Sequence, residues 1–382
     1  MLGRAVRGEW LLDPEFLTVN HGSFGATPRV VLAEQEAWRQ RMESQPTRFM
    51  SRVLPRALRE AADRLGGFLG ARGQDIVFTD NATTGCNAVL RSLRFGADDE
   101  ILLLSHAYGA VRNTVQLVAE RAGARVTEAR LPFPNPAAAG IVAAVEAALT
   151  PRTRLAVIDH VTSASGLVIP VNEVVAACRE AGVPVLVDGA HAPGQVDVDL
   201  TALGADWYTG NCHKWLCAPK GSAFLWAREE RQADLHPTVI SHGFKKGFLA
   251  EFDWTGTRDP TPVLCVPAAL HFHARLGGSA LRARNKALAA EAAELVAARL
   301  NSDVGTSGDQ AGAMGLVRLP SARPADDALA LAVRARLMDA GCDAPVHTLE
   351  GSLWLRLSVF AYNEQSDYVG LAEMAARVIR DI

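Results

Sequence analysis

From about residue 75 onward, short apolar runs alternate with stretches that are apolar on one face only. DIVFT at 75–79 predicts a strand, followed by a turn and a helix over residues 86–94. EILLLS at 100–105 is apolar on both faces, as a buried strand is, and a helix over 110–121 follows. The pattern then predicts strands at 125–131 and 155–160 with a helix over 138–149 between them. A helix over 172–181 and strands at 183–187, 207–209 and 223–226 complete the series. Alternation of this kind builds an α/β domain around a mostly parallel sheet of the seven-stranded type, with helices on both faces. After about Pro260 the texture changes to Ala/Leu/Arg-rich helices (267–276, 281–300, 325–340) flanking short strands near 314–318 and 353–358. The expected organisation is a large domain over residues 15–260 and a smaller C-terminal α/β domain over 261–382, with residues 1–30 packing on the smaller one.

Ligands of open α/β sheets bind beyond the carboxyl ends of the strands, so the residues just after each strand are the ones expected to carry chemistry. Asp188 ends VPVLV, and a carboxylate at the mouth of so apolar a strand needs a cation. The following GAHAPG supplies no Lys or Arg; a protonated pyridine nitrogen would serve, as would a helix N-terminus capped by the carboxylate. Lys214 stands in TGNCHKW, where an apolar setting lowers an amine's pKa and suits Schiff-base chemistry; an ordinary exposed lysine is the alternative. NATTG at 81–85 joins a strand to a helix, offering backbone N–H groups and the hydroxyls of Thr83 and Thr84 to an anion, or plain N-capping by Thr. His106 and Tyr108 follow a buried strand, and either ring could stack on a planar group or simply pack. Arg356, in LWLRLSVFAYN, wants a carboxylate, either a substrate's or an internal one.

Composition narrows the classes. The 382 residues are 49% apolar and 21% charged with a net charge of −3, which argues against a general nucleic-acid or membrane binder. The N-terminus is too polar for a signal peptide and no run of 18 or more apolar residues occurs. The six cysteines are scattered without a C-x-x-C pair, so a reduced, cytoplasmic protein is expected. Cys212, His213 and Cys217 lie close in sequence but lack a second ligand pair at zinc spacing, so no metal is expected. P-loop, dinucleotide, G-x-S-x-G and H-E-x-x-H motifs are absent.

The ordered set NATTG, HAY, VDGAHA, TGNCHKW, FDWTGTRDP and LRLSVFAYN resembles the class V aminotransferase family of fold-type-I pyridoxal-phosphate enzymes, from about Leu17 to the C-terminus. LTVNHGSFGATP, QPTRF, HAYGA and WTGTRDP point within it to the isopenicillin N epimerase-like branch. The resemblance implies pyridoxal 5′-phosphate as cofactor, Lys214 as the Schiff-base lysine, Asp188 as partner of the ring nitrogen and His191 near the ring hydroxyl. It implies Thr83, Thr84 and His213 as phosphate ligands. Asn211 stands where many relatives have Ser or Thr on the phosphate, and Ser163 where cysteine desulfurases have Asn near the ring. Thr257 would contact the phosphate of a neighbouring subunit, making a homodimer, and His106, with Tyr108 as rival, would stack on the ring. Arg356 would anchor the substrate carboxylate, with Asn20, His21 and Arg48 as further substrate contacts; His21, Tyr108 and Arg48 are also candidates for an epimerase's second acid. Cys342 is expected to start a strand rather than sit at a loop tip, which argues against persulfide chemistry. The implied activity is that of an amino-acid epimerase or cysteine-type C–S lyase, with an aminotransferase as alternative. A non-catalytic sensor would need a DNA-binding helix-turn-helix, for which neither terminus has room.

Overall fold

The computed structural model describes residues 2–380. Its strands are β1 (Leu17–Thr18), β2 (Ile76–Thr79), β3 (Glu100–Leu104), β4 (Arg125–Ala129), β5 (Thr153–Asp159), β6 (Val185–Asp188), β7 (Trp207–Asn211), β8 (Ala223–Ala227), β9 (Met314–Leu319), β10 (Cys342–Asp343), β11 (Val346–Leu349) and β12 (Ser352–Ser358). Seven of them form one sheet in the order β2-β8-β7-β6-β5-β3-β4, parallel except for β8, which runs against both neighbours. This is the α/β architecture that the alternating pattern predicts.

The central strands are buried along their length because the sheet is covered on both faces. Side-chain alternation sorts them into two cores. Leu102, Leu104, Ala156, Ile158, Val185 and Val187 face a large core that also holds Leu58, Leu65 and Phe272. Ile101, Leu103, Leu155, Val157, Leu186 and Trp207 face a second core with Cys86, Val89 and Val115. Each such Leu or Val contributes roughly 1.5–3 kcal/mol on full burial. The helices Arg29–Ser44 and Leu54–Phe68, not foreseen from the apolar pattern, cover the first face together with Val266–Arg275. Two cores meet within the helix Ser279–Leu300: Leu281 joins the large core, and the residues from Ala289 on join a third.

That third core fills the C-terminal part, between the antiparallel sheet β11-β12-β9 and the helices Ser279–Leu300, Asp327–Asp339 and Gln365–Ile379. The N-terminal segment ties onto it: β1 pairs in parallel with β10, and the Gly3 amide donates to the Ala361 carbonyl at 2.7 Å. Among the described residues no helix is long and apolar enough to cross a membrane.

Candidate active site

The carboxyl ends of β5, β6 and β7 and the N-terminus of the helix Ala82–Ser92 surround a cavity of about 500 Å³. The helix begins earlier than the apolar pattern indicates, and Asn81 caps it rather than a threonine. The Asn81 side-chain oxygen accepts from the Thr84 amide at 2.8 Å and from the Thr84 hydroxyl at 3.1 Å. The Ala82 amide donates to Asn211 Oδ1 at 2.9 Å, so Asn211 holds the helix to β7. A Cβ on Gly85 would lie 2.2 Å from Thr209 Oγ1, so only glycine lets the helix sit this close to the sheet. Thr83 and Thr84 therefore stand in the first turn, where amide dipoles favour an anion, and both line the cavity.

Lys214, on the loop after β7, enters from the side, and its Nζ lies 3.0 Å from His191 Nε2. Burial, then the charge of Arg356, lowers the Lys214 amine to about 7, against a smaller upward pull from Asp188. His191 is buried and held neutral, chiefly by burial and then by the cations Lys214 and Arg356. Its Nδ1 has no partner. His213 donates from Nδ1 to the Ser222 carbonyl at 2.9 Å, and burial lowers it to about 4. Asp188 is 4% exposed and accepts from the Ala190 amide at 3.0 Å. Burial raises its carboxyl, opposed by the Ala190 bond and by Lys214.

The cavity lining also includes residues to which the sequence motifs assign no role, among them Ser23, Phe24 and above all Asp159. Asp159 ends β5 as Asp188 ends β6, directly opposite it in register and equally buried. The signal was the same one that marked Asp188, a carboxylate closing an apolar strand.

The two rings following β3 are resolved by the geometry. His106 is buried, bonded through Nδ1 to Ser165 Oγ at 2.9 Å and edge-on to Phe133 at 5.0 Å, and it does not line the cavity. Tyr108 lines the cavity and is 44% exposed, because it stands at the start of the helix Gly109–Ala122 and is lifted out of the turn that buries His106. Of the two rings, it is Tyr108 that lines the cavity, while His106 lies behind it.

Arg356 is 1% exposed and already engaged. It donates to the Ser163 carbonyl, to Asn20 Oδ1 at 3.0 Å and to Ser23 Oγ at 2.8 Å, while its Nε has no partner. Burial lowers the guanidinium to about 10. Asn20 in turn donates to Asp343 Oδ2 at 2.7 Å, which relays a negative charge toward the arginine. Asn20 therefore orients Arg356. His21 stacks on Phe360 at 3.7 Å, donates to the Lys214 carbonyl at 3.1 Å and accepts from the Tyr362 hydroxyl at 2.9 Å. Burial lowers it to about 3, so it is a neutral strut behind the lysine and not an acid facing the cavity. Gly25, at φ +67°, lies against the same loop, where a Cβ would come within 2.0 Å of the His213 carbonyl. Ser163 lines the cavity; Arg48 and Thr257 are exposed and lie outside it in this chain.

This residue set fits pyridoxal phosphate. An amine with a lowered pKa, an unpartnered imidazole nitrogen, a buried carboxylate and a helix N-terminus converge on one cavity. The family model for class-V aminotransferases matches residues 24–369. The chain belongs to the class-V aminotransferase family. Within that family it is 37% identical to the isopenicillin N epimerase of Amycolatopsis lactamdurans, over 95% of each chain. It is 34% identical to the probable chloroplastic L-cysteine desulfhydrase of Arabidopsis thaliana, over 97% of this chain and 84% of the relative. Among solved structures the cystine C–S lyase C-DES, in complex with its product cysteine persulfide, superposes with a TM-score of 0.82 at 24% identity, covering 95% of this chain and 98% of that one. At that identity the likeness speaks for the fold.

Proposed function

We propose that this class-V enzyme binds pyridoxal 5′-phosphate and acts at Cα and Cβ of an amino acid, as an epimerase or a cysteine-type C–S lyase. The observation that carries the reading is Lys214, lowered to about 7 and 3.0 Å from His191 Nε2, in the same cavity as Asp188. The cofactor, when bound, supplies an electron sink for charge developing at Cα. Lys214 would be its attachment point and, once freed, the base that moves the Cα proton at Nζ. Asp188 would hold the proton of the ring nitrogen, and His191 Nδ1 would donate to the ring hydroxyl. Thr83, Thr84 and His213 would hold the phosphate and Tyr108 would cover the ring. Asn211 and Ser163 line the same wall. Arg356 would take the substrate carboxylate.

The lyase outcome needs one base at Cα and departure of the β-substituent. Epimerisation needs a second acid on the far face. Of the three candidates for it, only Tyr108 lines the cavity, since His21 is a buried strut and Arg48 is exposed elsewhere. Persulfide chemistry finds no support in Cys342, which is buried in β10 with its thiol pushed up to about 12 by burial. The six buried free thiols fit a reducing, cytoplasmic compartment. A homodimer, with Thr257 of one copy serving the other's phosphate, fits that residue's exposure, and Val239, Ile240 and Phe244 are exposed apolar residues available for such contact.

Proton NMR in deuterated water, with added cofactor and a panel of L- and D-amino acids and cysteine conjugates, tests the reading. Loss of the Cα signal with both enantiomers appearing marks an epimerase. Pyruvate with a released sulfur fragment marks a lyase, and a keto acid with an aminated cofactor marks an aminotransferase. No exchange with any amino acid, and no cofactor uptake, overturns the assignment.

A further inference from the structure

Asp159 and Asp188 are directly paired in register on adjacent parallel strands, which lie about 4.8 Å apart. Their side chains share a face of the sheet, because the residues two positions before them, Val157 and Leu186, pack in the same core. Both are 4% exposed and both line the cavity. Two ionised carboxylates cannot stay side by side out of water without a cation for each. Lys214 is the cation that acts on Asp188. Arg112, from the helix Gly109–Ala122, acts weakly on Asp159, because its guanidinium is spent on the Leu104 and Ser105 carbonyls and on Glu128. The other titratable neighbours are Cys86, from the helix Ala82–Ser92, and Tyr208, from β7, which are held neutral by burial and by these same carboxylates. The Tyr108 amide also favours the ionised Asp159 carboxyl, which links this carboxyl to the backbone that carries the cavity's exposed ring.

We propose that Asp159 is a positioning residue that shares a single proton with Asp188, so that the pair presents one negative charge to the cavity at neutral pH. Raising the pH removes that proton to solvent, converting one carboxylic acid and one carboxylate into two carboxylates and a proton. The sharing concerns this chain alone. Its use, setting the charge that faces the ring nitrogen, rests on the cofactor reading above.

Carboxyl-carbon NMR of aspartate-labelled apoprotein, titrated from acid to alkaline pH, tests the sharing. The wild type should show one buried aspartate titrating above neutrality and coupled to a second at lower pH. Asp159→Asn, which keeps an acceptor for the Tyr108 amide, should remove the upper step. Asp188→Asn should bring the Asp159 midpoint down by about one pH unit or more, the size expected for a coupled pair. Both aspartates titrating independently in the acid range overturns the proposal, and so does an upper step unmoved in Asp188→Asn. Absorbance of the bound cofactor against pH tests the use: Asp159→Asn should match the wild type near neutrality and lack an alkaline step that the wild type shows. Superimposable curves would refute that use. If the protein takes up no pyridoxal phosphate, the cofactor reading fails while the apoprotein titration still decides the sharing. Should Asp159→Asn not fold, Asp159→Ser and the Asp188→Asn titration carry the same test.

Discussion

Around Lys214 the polar groups stand with bonds unmade, whereas around Arg356 they are mostly satisfied. His191 keeps an unpartnered Nδ1 and Lys214 contacts only a neutral imidazole. Arg356 instead donates to Ser163, Asn20 and Ser23 and has only Nε left over. A ligand at the lysine end meets at least one buried donor, His191 Nδ1, that has no internal partner to give up. A carboxylate at the arginine end must replace internal acceptors, so it gains only the difference between a charged acceptor and neutral ones. On the proposed function, the first end would suit a resident cofactor and the second a substrate that exchanges at every turnover.

Several measurements break or sharpen that contrast. Lys214→Ala should abolish the yellow colour of the loaded protein and reduce turnover about a thousandfold or more; retained turnover would remove the lysine from the chemistry. Arg356→Ala should raise KM for amino acids about a hundredfold while affecting plain amines little, and equal losses for both would end its role as anchor. Gly25→Ala should lower stability by about 2–3 kcal/mol in thermal unfolding, because the left-handed backbone and the His213 carbonyl both resist a side chain. Asn20→Ala should raise KM for amino acids about tenfold with kcat and the cofactor spectrum little changed, which separates orientation of Arg356 from catalysis.

The smallest expected effect is on the apoprotein. The Lys214 amine is lowered to about 7 in the folded chain, so the unfolded chain binds the extra proton between that pH and the ordinary lysine range. Stability should therefore rise with pH through that window, and Lys214→Met should stabilise apoprotein by about 1–2 kcal/mol at neutral pH and less as the pH rises. Chemical denaturation at several pH values would reveal it, and a pH-independent difference would contradict the lowered amine.

Much of this was legible in the residue pattern because the strands are apolar on both faces and end in isolated polar residues. Asp188, Lys214, Thr83 and Thr84 all follow such runs, and the structure brings them to one cavity. The misses have physical reasons. The helix Arg29–Ser44 buries the polar Gln35 beside Val31 and Met42, which blurs its apolar stripe, whereas Leu54–Phe68 carries a clear one in Leu54, Leu58, Ala61, Ala62 and Leu65. His106 and Tyr108 are two positions apart in a turn, where no periodicity tells which ring goes inward. His21 and Asn20 were read as substrate contacts because their polarity was visible, while their partners, Tyr362, the Lys214 carbonyl and Asp343, lie far along the chain. Asp159 closes the apolar run LAVI as Asp188 closes VPVLV, so the same pattern marks both carboxylates.

The short turn His21–Phe24 and its flanks touch both the lysine loop, 193 positions later, and Arg356, 336 positions later. During synthesis these residues leave the ribosome long before either partner exists. The lysine loop cannot be buttressed until residue 214 has been made, nor the arginine aimed until residue 356 has. A growing chain thus has an amine but no finished pocket around it, and reactive aldehydes meet an assembled site only after Arg356 has emerged.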